Sequence, residues 1–152
     1  MKKKNILRIA AAVLVTAAFA LAAAFFTRTD TQWYEELIKP AIQPPPLVFG
    51  IVWAVIYALF AASFALTLIK REGKGALLYI LNLALTTMWC LIFFVRMDIG
   101  AALVLLIIIF ILAIILTCFA YNSSAAAGVL ITPYALWMGY ALAINYGVVL
   151  MN

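Results

Sequence analysis

The chain is poor in charge: of 152 residues only 10% are Asp, Glu, Lys or Arg, while 70% are apolar. Water-soluble domains carry roughly a quarter charged residues and about half apolar ones, so a soluble fold is excluded and a membrane protein is expected. Histidine is absent altogether. That removes the commonest metal ligand, general base and axial haem ligand, and with them zinc catalysis, histidine-based hydrolysis and histidine-ligated haem. No metal site and no required cofactor are expected. The two cysteines, Cys90 and Cys118, lie in apolar runs without CxxC spacing, which argues against a disulfide framework or a thiol redox motif. The net charge of +5 comes from short basic clusters flanking apolar runs, a pattern suited to lipid headgroups rather than nucleic acid.

The remaining charges punctuate the chain into apolar stretches of membrane-crossing length. Inside lipid only helices and closed barrels satisfy the backbone, so these stretches read as helices. Three are bounded by charge, at about 9–26, 46–69 and 76–95. After Asp98 no charge remains, and the 54 residues that follow would extend about 81 Å as one helix, far beyond one bilayer. They must turn once, and Asn122, Ser123 and Ser124 are the only consecutive polar residues available. Spans at about 99–121 and 125–151 result, with Pro133 inside the fifth and a kink expected there. The fold expected is an all-α integral membrane protein, one five-helix transmembrane bundle occupying residues 1–152.

Lys2, Lys3, Lys4, Arg8, Lys70, Arg71 and Lys74 fall on one face of the membrane, against Arg28, Lys39 and Arg96 on the other. The positive-inside rule then puts the N-terminus in the cytoplasm, and the expected location is a bacterial cytoplasmic membrane. The basic start, apolar core and small residues around Ala20–Ala24 also imitate a cleaved signal peptide, though the apolar run is nearer span length than a signal core. The loop 27–43 is the longest connection and holds three of the five acids beside Trp33 and Tyr34. It is the expected lid, with an interfacial aromatic anchor as the alternative.

Helix faces carry the chemistry. Phe49, Trp53 and Tyr57, spaced by four, with Phe60 and Phe64 on neighbouring rows, make an aromatic stripe down the second span. Asn82, Thr86, Trp89 and Phe93 share a face of the third with Cys90 beside them, and Pro133, Trp137, Ala141 and Asn145 follow one another along the fifth. Polar groups in lipid turn towards the bundle interior, so Asn82, Thr86 and Asn145 are expected to face Trp53 and Trp137 across an apolar, aromatic-walled cavity suited to a flat hydrophobic ligand. The same residues also serve as plain interhelical packing. Ala135, Gly139, Ala143 and Gly147 recur every fourth residue, which offers either a dimer seam or close packing within the chain, with helix one as the internal partner. No span holds an acid or base in its middle, which weighs against an ion-coupled pump.

Trp33-Tyr34, Leu37, Lys39-Pro40, Pro44-Pro45, Phe49-Gly50, Trp53 and Tyr57 resemble the WYxxLxKPxxxPPxxxFGxxWxxxY signature of the translocator protein family, also called tryptophan-rich sensory proteins or peripheral benzodiazepine receptors. Trp89 with Phe93-Phe94 is similar to its WSxxFF element, and Pro133-Tyr134, Trp137, Ala141 and Asn145 to its PYxxWxxxAxxxN element. The resemblance implies a five-helix bundle, often dimeric, that binds porphyrins such as protoporphyrin IX and synthetic isoquinoline or benzodiazepine-like ligands under the first loop. It implies a sensor or scavenger, with light-dependent porphyrin breakdown in which the matching tryptophans are Trp53 and Trp137; a transporter of porphyrins or other lipophilic molecules is the alternative. The ligand-binding residues implied are Trp33, Tyr34, Pro44, Pro45, Phe49, Trp53, Tyr57, Asn82, Thr86, Trp89, Cys90, Phe93, Trp137, Ala141 and Asn145. The chain departs from the family pattern at Ile42, where Trp is common, and in the third span at Asn82, Thr86 and Cys90. Nothing basic follows Tyr146, so the cholesterol-recognition pattern is incomplete and sterol transport is not expected.

Overall fold

The computed structural model describes residues 2–152 as six α-helices: α1 (Lys2–Phe26), α2 (Gln32–Glu36), α3 (Pro46–Lys70), α4 (Ala76–Cys90), α5 (Ile99–Ser123) and α6 (Ala125–Met151). Helix α4 continues into a π-helical turn, Leu91–Val95. Five segments, α4 taken with its π turn, are long and apolar enough to cross a membrane. The five close a ring in the order α1, α3, α6, α5, α4. The outward surface is aliphatic, Leu77 being 77% exposed and Leu21 72%. With lipid outside, the helices differ little in polarity between faces: the aliphatic residues are found on both, among them buried Leu106, Ile109 and Leu116 of α5, while Ser63, Thr67, Asn82, Thr86 and Asn145 are buried inside.

Helix boundaries follow from local chemistry. Pro46 occupies the first position of α3, where its missing N–H is no loss. Asp98 caps α5 by accepting from the Ala101 N–H at 2.8 Å. The hairpin between α5 and α6 is a single residue, Ser124, whose hydroxyl accepts from the Ala127 N–H at 3.2 Å. Helix α6 runs through Pro133 without interruption.

The half of the bundle away from the lid is solid. Phe60 meets Tyr79 and Tyr134 edge to face at 5.4 and 5.1 Å, and Phe64 stacks on Tyr79 at 4.6 Å. Ser63 donates to the Ala127 carbonyl at 2.8 Å; having no second proton, it accepts from Tyr79 at 2.8 Å, which leaves Thr67 as donor to Tyr79 at 2.9 Å. Two of the four small residues on α6 are filled within the chain, while Ala143 between them is exposed: a Cβ at Gly139 would meet Phe110 of α5 at 3.1 Å, and one at Gly147 would meet Pro40 of the lid at 3.0 Å. The internal partner is therefore α5 with the lid, not α1, which packs on α3 and α4 instead. The alanines of α1 let it approach these two closely, with Ala12 fully buried.

Gly75 caps α4 with φ +88°, and a Cβ there would lie 2.2 Å from the Phe119 ring. Gly75→Ala is expected to destabilise by about 1–3 kcal/mol, from left-handed backbone strain plus displacement of that ring, measured as a fall in the denaturation midpoint in detergent.

Candidate ligand-binding site

The lid half of the bundle is hollow. A cavity of about 430 Å³ lies between α1, α3, the end of α4 with its π turn, and α6, beneath the 27–45 segment. Phe49, Trp53 and Tyr57 of α3, Trp89, Cys90, Phe93 and Phe94 of the third span, and Ala141, Ile144, Asn145 and Val148 of α6 form its wall. Tyr34 and Gln43 hang from the lid, and among the described residues no acidic or basic side chain is on the wall. The aromatic stripe of α3 is thus divided: its upper residues line the hollow, and Phe60 and Phe64 fill the core below.

The π turn makes this roof possible. Its wide bonding, Arg96 N–H to Leu91 carbonyl at 3.0 Å, re-aims the end of the helix so that two consecutive rings, Phe93 and Phe94, are both buried. Trp33 packs edge to face on Phe93 at 5.7 Å and Tyr34 lies against Phe94 at 5.5 Å. The consecutive pair in the lid therefore docks on the consecutive pair in the π turn. Lys39 ties the lid to itself, with its ammonium 4.5 Å above the Tyr34 ring and donating to the carbonyls of Tyr34 and Leu37. The Asn152 amide clasps Ile38 in both directions, accepting from its N–H and donating to its carbonyl at 3.0 Å each. Tyr140 donates to the Ile42 carbonyl.

Two polar pairs face the hollow. Gln43 donates to the Tyr34 hydroxyl at 3.0 Å, leaving the phenol proton free for a ligand. Partial burial raises the pKa of that phenol above its ordinary value, against a smaller opposing effect of the Gln43 bond, so Tyr34 is a neutral donor at physiological pH. Deeper in, Trp89 donates its indole N–H to Asn145 Oδ1 at 3.1 Å, and Asn145 donates to the Ile99 carbonyl at 3.4 Å. One amide thereby joins α6, α4 and the start of α5 while Trp89 stacks on Phe93 at 5.0 Å.

Of the residues singled out in the sequence, Tyr34, Phe49, Trp53, Tyr57, Trp89, Cys90, Phe93, Ala141 and Asn145 stand on the wall. Trp33 lies behind Phe93 as part of the lid's docking contact. Pro44 and Pro45 precede the wall, where Pro46 takes their place. Asn82 and Thr86 do not reach the cavity or the two tryptophans. They are buried below it, Thr86 sharing a 3.0 Å hydrogen bond with the Tyr134 hydroxyl, which also donates to Asn82 Oδ1 at 3.4 Å. Tyr134, lying between α4 and α6, captures both polar groups before they can face the hollow. Trp137 stands behind the wall: its ring meets Trp53 edge to face at 6.4 Å and Phe49 at 5.5 Å, and its buried indole N–H has no partner among the described residues. The wall residues not singled out earlier come mainly from α1 and the start of the lid, namely Ala20, Ala23, Ala24, Thr27 and Thr29, with Gly50 and Ala54 opposite. Their one sequence signal is smallness, which in α1 is common to most of the helix.

Comparison with known proteins places this architecture. The sequence model of the TspO/MBR family matches residues 11–151. The chain is similar to a tryptophan-rich protein TspO of Archaeoglobus fulgidus, 30% identical over 97% of this chain and 99% of that protein. It is similar to a tryptophan-rich sensory protein of Cereibacter sphaeroides, 33% identical over 80% and 77% of the two, and to the human translocator protein, 34% identical over 75% and 71%. A ring of five membrane-spanning helices around a lidded aromatic cavity, matched along nearly its whole length, makes this chain an integral membrane protein of the TspO/MBR family.

Proposed function

We propose that the cavity binds a flat tetrapyrrole, protoporphyrin IX being the probe of choice, and that the protein acts as a membrane sensor or scavenger of such molecules. One observation carries the reading: the wall is uncharged and aromatic, about 430 Å³ in volume, with Trp53 on it and Trp137 stacked edge-on behind. That volume lies within the range of small-molecule sites, and stacking and burial, rather than charge, are what such a wall offers a macrocycle. Carboxylates are costly to bury without partners, so those of a porphyrin would project to the mouth, among Thr27, Thr29, Tyr34 and Gln43. Names among the relatives, tryptophan-rich sensory protein and translocator protein, agree with a small-molecule role in the membrane.

Under light, indole is an electron-rich donor to a bound photosensitiser, a chemistry that requires proximity and no acid or base. Trp53, on the wall, would act first. Trp137, in contact with Trp53 but off the wall, would return an electron to the oxidised Trp53, and dissolved oxygen, taking the electron from the reduced porphyrin, is the oxidant that the bleaching consumes. Titrating protoporphyrin IX into the purified protein in detergent is expected to quench tryptophan fluorescence saturably, and illumination is expected to bleach the porphyrin faster than in detergent alone. Quenching without bleaching would leave a binder, and saturable uptake by proteoliposomes above empty liposomes would turn the reading to transport. Absence of saturable quenching would overturn tetrapyrrole binding.

A further inference from the structure

Three aromatic rings lead from the cavity to the outside of the bundle. Trp53 is on the wall, Trp137 meets it edge to face at 6.4 Å, and Tyr140, three residues further along α6, tilts against Trp137 at 5.2 Å. Tyr140 is only partly buried, and its hydroxyl donates to the carbonyl of Ile42, a lid residue that is 50% exposed. Trp137 and Tyr140 also line a shallow apolar groove on the outer face between α3 and α6, beside the exposed Ile51, Val55 and Leu136. The run of contacts therefore starts at the ligand and ends at the surface.

The rings differ in what they can do with a missing electron. An oxidised indole stays a cation until its N–H gives up the proton. The Trp137 N–H is buried without a partner among the described residues, so its proton has no acceptor and the charge is held in apolar surroundings, where a charge is costly. Trp53 is no better placed, since it faces the uncharged wall and the bound ligand. A phenol, by contrast, sheds its proton as it loses its electron and ends as a neutral radical. Tyr57 touches Trp53 at 5.3 Å, but it lines the cavity, from which a bound macrocycle excludes the water that would take its proton. Tyr140 makes its hydrogen bond on the exposed surface at the level of the lid, where water is within reach.

We propose that Tyr140 ends an aromatic relay, running from Trp53 through Trp137, that carries the electron vacancy out of the cavity, and that Tyr140 is restored by a hydrogen-atom donor of the hydroquinone or enediol class. The proposal rests on the tetrapyrrole reading and adds a co-substrate to it. The excited porphyrin takes one electron from Trp53, Trp53 takes one from Trp137, and Trp137 takes one from Tyr140, whose hydroxyl proton passes to water. The donor then gives a hydrogen atom, proton and electron together, to the tyrosyl oxygen and leaves as a radical. Dissolved oxygen takes the electron from the reduced porphyrin. One donor is oxidised for each oxygen reduced, and neither tryptophan is consumed. Each transfer is between rings already in contact, so the steps need no motion of the helices.

The test illuminates the full chain with protoporphyrin IX in lipid vesicles, freezes the sample and reads the radical by high-field electron paramagnetic resonance, with tryptophan quenching measured on the same samples. A tyrosyl radical is expected in the wild type. Tyr140→Phe should lose it, show a tryptophan radical in its place and accumulate oxidised Trp137 by mass spectrometry. Trp137→Phe breaks the relay at its middle and should lose the tyrosyl radical too, which serves if Tyr140→Phe fails to fold as judged by circular dichroism. Tyr146→Phe should keep the signal, and so should Asn152→Ala, which loosens the lid without touching the relay. Ascorbate in the water or decylubiquinol in the bilayer should hasten its decay, and the one that does so shows where the donor resides. A tryptophan radical alone in the wild type, a tyrosyl radical surviving in Tyr140→Phe or Trp137→Phe, its loss in Tyr146→Phe or Asn152→Ala, or a decay that neither reductant changes would overturn the relay. With saturable quenching intact, such a result defeats the relay alone; absence of saturable quenching defeats the tetrapyrrole reading and the relay together.

Discussion

Replacing Trp53 and Trp137 together by Phe is expected to slow the light-driven bleaching of bound protoporphyrin by about tenfold or more, equivalent to about 1.4 kcal/mol or more on the barrier. Phe keeps an aromatic surface at both positions and removes the electron-rich indole. The single variants should differ. Trp53 stands on the cavity wall, so Trp53→Phe changes both the contact with the ligand and the first donor. Trp137 stands behind two wall residues, Trp53 at 6.4 Å and Phe49 at 5.5 Å, so Trp137→Phe should leave the quenching titration intact and lower bleaching. It should also fold well, because the Trp137 indole N–H is buried without an acceptor and its removal relieves an unsatisfied donor. Bleaching measured under constant illumination, with denaturation midpoints of the same samples, separates chemistry from stability. Unchanged turnover in the double variant would end the proposed role of both residues.

Tyr79→Ala is expected to be the most damaging single change to the fold, at about 3–5 kcal/mol. Tyr79 is fully buried, stacks on Phe64, takes the edge of Phe60 and joins Ser63 to Thr67. Truncation would open a void between α3 and α4 and strand the Thr67 proton, while Ser63 keeps its bond to Ala127. Tyr79→Phe keeps the ring and loses only the hydroxyl, which in membrane helices is worth about 0.6 kcal/mol on average and rarely above 1.7. The ratio of the two midpoint shifts therefore measures how far aromatic packing, rather than polar bonding, holds these helices together. Tyr79 lies outside the cavity wall, so ligand quenching in the Tyr79→Phe variant should match the wild type. Equal losses in both variants would show that the hydroxyl network dominates.

Much of the site was legible because its aromatic residues sit at helical spacings. Phe49, Trp53 and Tyr57 recur every four residues, and residues so spaced share a helix face whatever surrounds it. That Asn145 faces inward was legible for another reason, because polar groups in a hydrocarbon medium must find partners, but its partner is Trp89, at 3.1 Å, and not Trp53 or Trp137. The same reasoning failed for Asn82 and Thr86. It identified buried polar groups without identifying the partner, and the Tyr134 hydroxyl, brought over by α6, satisfies them below the cavity. The contribution of α1 was invisible because its share of the wall is built from alanine, and alanine also fills every ordinary close contact between membrane helices.

Composition by itself determined that the chain lives in a bilayer, since water cannot host so apolar a surface. The charge pattern and a 54-residue uncharged tail together determined that five helices cross it, because the bilayer has a set thickness and a helix a set rise. Tertiary structure alone decided the order of the helices around the ring, because lipid imposes no preference between neighbours and side-chain size must choose. It decided that Phe110 and Pro40 fill the space beside Gly139 and Gly147 of α6, and that a π turn docks Phe93 and Phe94 under Trp33 and Tyr34. It also decided which end of the bundle is hollow. Those outcomes depend on which side chains meet across helices, and periodicity within one helix carries no record of its neighbour.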